Sequence, residues 1–188
     1  MKLDIALKEW AVVCDLLTNG GLTLILRKGG IHESGGPGVF AMAHDRFLMY
    51  PSWLHQKPEL VKPEFRDQVE MLDEPDTITF TGYGEVAKIW EVPDRESFDR
   101  LDDLHCWADE QINIRFNYKP QNPLYLVAIR GYQLANTKTI DNLMEYSGCR
   151  SWVPLKEDAA VEINDATPAV SDDRIAEIIH RVDETFSG

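Results

Sequence analysis

Residues 77–92 read TITFTGYGEVAKIWEV. Thr, Ile, Phe, Tyr, Val and Trp dominate this run, the residues that suit a pleated, half-buried surface, and it is the longest strand signal in the chain. Gly82 and Gly84 interrupt it, which in a strand marks a bulge or a close approach of another backbone. C-terminal to it, Pro93 and the capping residue Asp94 open a helix over residues 94–104 with Phe98, Leu101 and Leu104 on one face. Residues 124–134 (LYLVAIRGYQL) form a second, strongly buried strand, 139–146 a short helix stopped by Gly148, and 152–153 the last strand. N-terminal to it, 58–72 reads as a loop and then a helix with Phe65, Val69 and Leu72 inward. Residues 39–42 and 47–50 are short strands, and 23–27 (TLILR) is another. At the start, Leu3, Leu7, Trp10, Cys14 and Leu17 recur at spacings of four and three, a buried helix stripe, with a strand at 10–16 as the competing reading. Interspersed strands and helices of this kind make an α+β fold.

The chain has 188 residues, 44% of them apolar, enough for one domain that buries roughly 70% of its unfolded surface. Residues 156–170 are acidic and small and read as a linker, leaving 1–155 as the domain. Ser171 then caps an amphipathic helix over 171–186, with Ile175, Ile178, Ile179, Val182 and Phe186 apolar, in a C-terminal unit of 171–188. Cys14, Cys106 and Cys149 are odd in number and far apart, which suggests neither a disulfide framework nor a metal knuckle. No leader and no apolar run near the roughly 18 residues of a membrane span is visible, so a cytoplasmic location without a membrane partner is expected. The net charge of −13 argues against non-specific binding to nucleic acid, which depends on neutralising phosphates. It leaves room for a local basic patch.

Four polar segments stand out. Arg27-Lys28-Gly29-Gly30-Ile31-His32-Glu33 ends a strand in two cations and two glycines, a way of offering charge and backbone N–H groups to an anion. Residues 44–56 (HDRFLMYPSWLHQ) gather His44, Arg46, Tyr50, Trp53, His55 and Gln56: rings for stacking and polar groups that read edges or carboxylates. In the third, Ile112, Ile114 and Phe116 alternate as a strand whose other face carries Asn113, Arg115 and Asn117, followed by Lys119. The fourth, residues 146–153, is a tight turn that presents Arg150. A metal reading would use His44 and His55 with His32 or His105, but no metal-binding spacing is present, and no metal or cofactor is expected. Also missing are a nucleophile elbow, a dinucleotide-binding glycine motif and a P-loop. Glu85 and Lys88 are three apart, which puts them on opposite faces of a strand and excludes the acidic–lysine pair of a restriction nuclease.

Together the segments ALKEWAVVCDLL (6–17), LRKGGIHE (26–33), HDRFLMYPSWLHQ (44–56), RFNYKP (115–120) and SGCRSWVPL (147–155) resemble a bacterial family of unknown function, DUF1802. The resemblance covers about residues 5–155. It implies, by association with restriction-endonuclease domains, a role in restriction-modification or defence and a restriction endonuclease as partner. The order of elements is also similar to PUA-like domains of the ASCH and EVE kind, which implies a small, mixed or antiparallel β-barrel decorated with helices. Several such domains read RNA or modified bases, and one ASCH branch is an amidohydrolase; its catalytic lysine position is occupied here by Leu22.

The expectation that follows is a binding module rather than a catalyst. It would hold a nucleotide, or a nucleic acid with a modified base, among Arg27, Lys28, Glu33, His44, Arg46, Tyr50, Trp53, His55, Gln56, Arg115, Lys119 and Arg150. One alternative is a small hydrolase with His44 or His55 as general base and Arg46 or Lys28 stabilising an oxyanion. Another is a protein-interaction domain acting through the C-terminal helix.

Overall fold

The computed structural model describes residues 1–28, 43–148 and 150–188. It is an α+β fold around one curled sheet. The elements in chain order are β1 (Lys2–Leu3), β2 (Ile5–Trp10), α1 (Ala11–Asn19), β3 (Leu24–Lys28), β4 (Arg46–Ser52), β5 (Thr77–Glu91), α2 (Arg95–Asp99), α3 (Asp109–Asn117), β6 (Leu124–Asp141), β7 (Trp152–Pro154), β8 (Val161–Glu162), β9 (Thr167–Pro168) and α4 (Asp172–Ser187). The main path runs β3-β6-β5-β4-β2-β7, with β9 alongside β6; β1 and β8 form a separate small pair. Among the described residues all pairings in this sheet are antiparallel except β2 with β4.

The expected closed barrel is not formed. Among the described residues β3 and β7 are unpaired ends, so the sheet is a half-barrel, open along one seam. Its curl comes from β5 and β6, 15 and 18 residues long, whose register shifts at Phe80/Gly82 and again at Val86/Lys88. At the first shift Thr81 stands against residues 134–137 of β6, and at the second Ala87 is a one-residue bulge on β5; such irregularities increase local twist. Side chains alternate along β4: Phe47 and Met49 enter the larger core cluster, Leu48 and Tyr50 the smaller one on the opposite face.

Glycines at the centre of the sheet let α1 press onto it. A Cβ on Gly131 would collide with the carbonyl of Leu17, and one on Gly82 would sit 2.5 Å from Thr18 Oγ1. That close approach is why α1 is buried almost all round. Gly20, at φ 83°, ends it.

Local expectations failed where two periods compete. Residues 5–10 are strand β2 and the helix starts only at Ala11, because pairing with both β4 and β7 outweighs the helix stripe. Residues 109–117 are helix α3 rather than a strand: Ile112 and Phe116 are four apart and share a helical face, while Ile114 is exposed. The helix expected at 139–146 is replaced by the continuation of β6 through Asp141, where Ile140 pairs with Ile78, and by a single turn at Met144–Tyr146. Residues 58–72 make two 3-10 turns behind Pro58 and Pro63, and Leu72 stays 60% exposed. The strand expected at 39–42 lies outside the described residues.

Residues 156–170 supply β8, which pairs with β1, and send Val161 and Ile163 into the smaller cluster. Helix α4 places Ile178 and Val182 in the larger cluster. Asp183 on α4 accepts from Lys88 Nζ and Trp90 Nε1, both at 2.7 Å, and Arg181 grips Asp103 through two 2.5 Å bonds. Among the described residues no helix is long and apolar enough to cross a membrane.

Candidate functional site

A cleft of about 320 Å³ opens where β2, β3 and β4 end, with the C-terminus of α3 and Gly148, Arg150 and Ser151 as its remaining walls. In the sheet β2 and β3 are separated by three strands, yet the curl brings their ends together: Arg27 Nη1 donates to Glu9 Oε2 at 3.0 Å. The cleft therefore sits where the end of β2, beyond its pairing with β7 at Ile5–Leu7, meets the edge strand β3. This ion pair is shielded, the side chains being 12% and 8% exposed, and Glu9 Oε1 also accepts the Trp10 backbone N–H at 3.0 Å.

Among the described residues five cations line the cleft, Lys8, Arg27, Lys28, Arg115 and Arg150, against the single carboxylate of Glu9. Lys8 Nζ donates to the Tyr146 carbonyl at 2.6 Å. Lys28 Nζ donates at 3.1 Å to the carbonyls of Arg115 and Phe116, at the negative end of α3, and so fixes that helix end against β3. Arg115 differs from these. Its guanidinium has no hydrogen-bond acceptor among the described residues, although it is half-buried. Trp10 and Tyr118 supply aromatic surface, and Ser52, Leu54 and His55 complete the wall.

The His55 turn is held in a conformation side chains seldom adopt, φ 66°. Its neighbours over-determine it. Glu74 Oε1 accepts from Ser52 Oγ at 2.5 Å and from the backbone N–H groups of Trp53 and Leu54, each at 3.0 Å. On the other side the buried Gln56 donates to the Glu70 carbonyl at 2.6 Å and accepts from the Val12 N–H at 3.3 Å.

Of the side chains singled out in the sequence, the structure brings Arg27, Lys28, His55, Arg115 and Arg150 to this cleft. Lys119 adjoins it, its ammonium over the Tyr118 ring at 5.3 Å. The others are elsewhere. Arg46 is exposed and pairs with Glu85 at 3.1 Å, and His44 is exposed with its ring edge-on to Trp152, 5.0 Å between centroids. Tyr50 is sealed in the smaller cluster, donating to Asn142 Oδ1 at 2.6 Å. Trp53 is half-buried on a different cavity and donates to Glu70, and Gln56 is structural. Glu33 and His32 lie outside the described residues.

Sequence reasoning missed Lys8, Glu9 and Trp10, which the helix stripe had absorbed, and Glu74, whose role rests on a tertiary contact with no local signature. Among the described residues no cluster of three metal-ligating side chains exists. His105 is buried, not in the cleft.

A family model described as a domain of unknown function, DUF1802, matches residues 6–181. The chain belongs to the DUF1802 family. The match extends through β8 and most of α4. No curated protein matches. Among solved structures, the crystal structure of a mutant ZmASCH protein from Zymomonas mobilis is similar at a TM-score of 0.47 and 10% identity, over 82% of this chain and 89% of that one.

Electrostatically this DUF1802 cleft is a desolvated cationic site. Burial lowers the pKa of Lys28. Burial also lowers that of Arg115, with Arg27 adding to the effect and Glu9 opposing it. An anion entering the cleft would relieve both costs, since a nearby opposite charge favours the protonated form. The two described cysteines offer no nucleophile: burial raises the Cys14 thiol and pushes Cys106 up to about 12.

Proposed function

We propose that this DUF1802 protein is a binding module for a nucleotide, free or within a nucleic acid and carrying an ordinary or modified base. In this reading its phosphate lies against Arg115, Arg27 and Arg150 and its base against Trp10 or Tyr118. One observation carries the reading: cations from four separated stretches of an acidic chain meet in one cleft with two aromatic side chains, and one of them, Arg115, has no acceptor among the described residues. Base stacking contributes roughly 1–3 kcal/mol and a charge-assisted bond to arginine about 1.5–3 kcal/mol. A micromolar Kd is about −8 kcal/mol net, and association itself costs at least about 4 kcal/mol, so micromolar binding requires several of these contacts acting together. A nucleotide reader is also the kind of component that a restriction or defence role would use.

Catalysis has less support. A hydrolase would rest on His55 alone, and the Ser52 hydroxyl beside it already donates to Glu74. Titration of base-modified and unmodified nucleotides at low salt, followed by Trp10 fluorescence and calorimetry, tests the binding reading. Micromolar binding by at least one of them, lost in Arg115→Gln, is expected; no binding to any of them at hundreds of micromolar removes it.

A further inference from the structure

Within that reading, on which this inference rests, we infer that the ligand is a free mononucleotide with a terminal phosphate monoester rather than an internal nucleotide of a DNA or RNA chain. The charge distribution carries the argument. The chain has 19 Lys and Arg against 32 Asp and Glu. Five of those cations and one of those carboxylates line the cleft, so the rest of the molecule holds a net charge of −17. A polynucleotide threaded through the cleft would leave it on both sides over this acidic remainder. Polymer binding gains its affinity from successive phosphate contacts along a basic track, whereas outside the five cleft cations the other 14 Lys and Arg are distributed among 31 carboxylates.

The content of the cleft points the same way. A phosphate diester carries one negative charge, while a monoester carries between one and two near neutral pH because its second pKa is about 6. Arg27 spends one of its nitrogens on Glu9 and Lys28 is engaged with the end of α3. Both nevertheless line the wall, and the Arg115 guanidinium has no acceptor among the described residues. That is a surplus suited to a dianion. Glu9 is the complementary element: a shielded carboxylate among cations accepts from a ribose hydroxyl or an exocyclic amine, groups that a nucleoside presents beside its phosphate. At about 320 Å³ the cleft is at the small end of the range for small-molecule sites, the size of one nucleotide.

The test compares ligands that differ only in the phosphate. For the common ribonucleosides, calorimetry on the full chain would measure the 5′-monophosphate, its methyl ester, the bare nucleoside, a single-stranded dodecamer of the same base, and inorganic phosphate. The monophosphate should bind at least tenfold more tightly than its methyl ester, its nucleoside and, per site, the dodecamer. The ratio of monophosphate to methyl-ester affinity should rise about tenfold between pH 5 and pH 7 as the second phosphate proton leaves, while titrations of the protein cancel in the ratio. Arg115→Gln should abolish the preference with an unchanged circular dichroism spectrum, and Arg46→Ala, outside the cleft, should leave it intact. A methyl ester or dodecamer that binds as tightly as the monophosphate, with a ratio flat in pH, overturns the free-nucleotide inference and leaves the nucleotide reading standing. Inorganic phosphate binding as tightly as every nucleotide overturns both.

Discussion

Removing Arg27 should expose how much the cleft depends on its ion pair. In Arg27→Met the Glu9 carboxylate, 8% exposed, keeps only the Trp10 N–H. Breaking a buried pair by deleting one partner costs about 3–5 kcal/mol. Here Arg115 still faces Glu9 and offsets part of the loss, so about 2–3 kcal/mol is the reasoned figure. For a chain of this size that is roughly 4–12 °C in Tm. The double variant Glu9→Gln with Arg27→Met leaves no stranded charge and should recover most of the stability, with a coupling of about 2 kcal/mol. Urea titrations of the two single variants, the double variant and the parent measure the cycle. An Arg27→Met variant that loses under 0.5 kcal/mol, or a double variant no more stable than Arg27→Met, would refute the idea that the pair sits in a desolvated cleft.

Three further outcomes follow from other parts of the molecule. Burial pushes the His105 pKa down to about 4, and both ring nitrogens are without a hydrogen-bond partner among the described residues. The unfolded chain, near 6.5, takes up the proton first. The stability due to neutral His105 is therefore fully present above about pH 6.5 and is lost as pH falls through about 4, up to about 3 kcal/mol; the slope of stability against pH between 6.5 and 4 should be shallower in His105→Phe. Gly131→Ala must displace α1 from the sheet and should cost upwards of about 2 kcal/mol, measurable by thermal unfolding. Glu74→Ala frees three donors at the His55 turn; amide exchange at residues 53–55 should quicken and ligand affinity should fall several-fold, while exchange in β5 and β6 stays slow.

How far the molecule could be read from its sequence depended on the range of the interaction. The strand at residues 77–92 was legible because its β-branched and aromatic residues and its two glycines carry local meanings that the packing upholds, Gly82 included. Helix α4 was legible from Ser171 and its apolar stripe. Residues 5–10 misled because Leu7 and Trp10 fit a helical spacing with Cys14, while the pairing partners of Leu7 and Trp10, Met49, Ser52 and Trp152, lie far along the chain in β4 and β7. Ile112, Ile114 and Phe116 satisfy periods of both two and four, and only the packing of Ile112 decides between them. Barrel closure is likewise a property of edges, set by which strands lack partners. For the cleft, the strand-end cations Arg27 and Lys28 and the turn cation Arg150 were visible as charges next to turns. Tyr50 and Gln56 resembled them in composition and proved internal, because a ring or an amide in a polar segment does not reveal which face of its strand or turn it occupies.

On this proposal the cleft between the ends of β2 and β3 is where the protein meets its ligand. Two-dimensional ¹⁵N–¹H spectra recorded while titrating in nucleoside 5′-monophosphates test it directly. Shifts should concentrate at residues 8–10, 27–28, 52–55, 115–118 and 148–151, with the Arg115 side-chain Nε–H among the largest. Shifts gathered instead on the exposed face of α4 or around Arg46 and Glu85, with residues 8–10 and 27–28 unmoved, would contradict it.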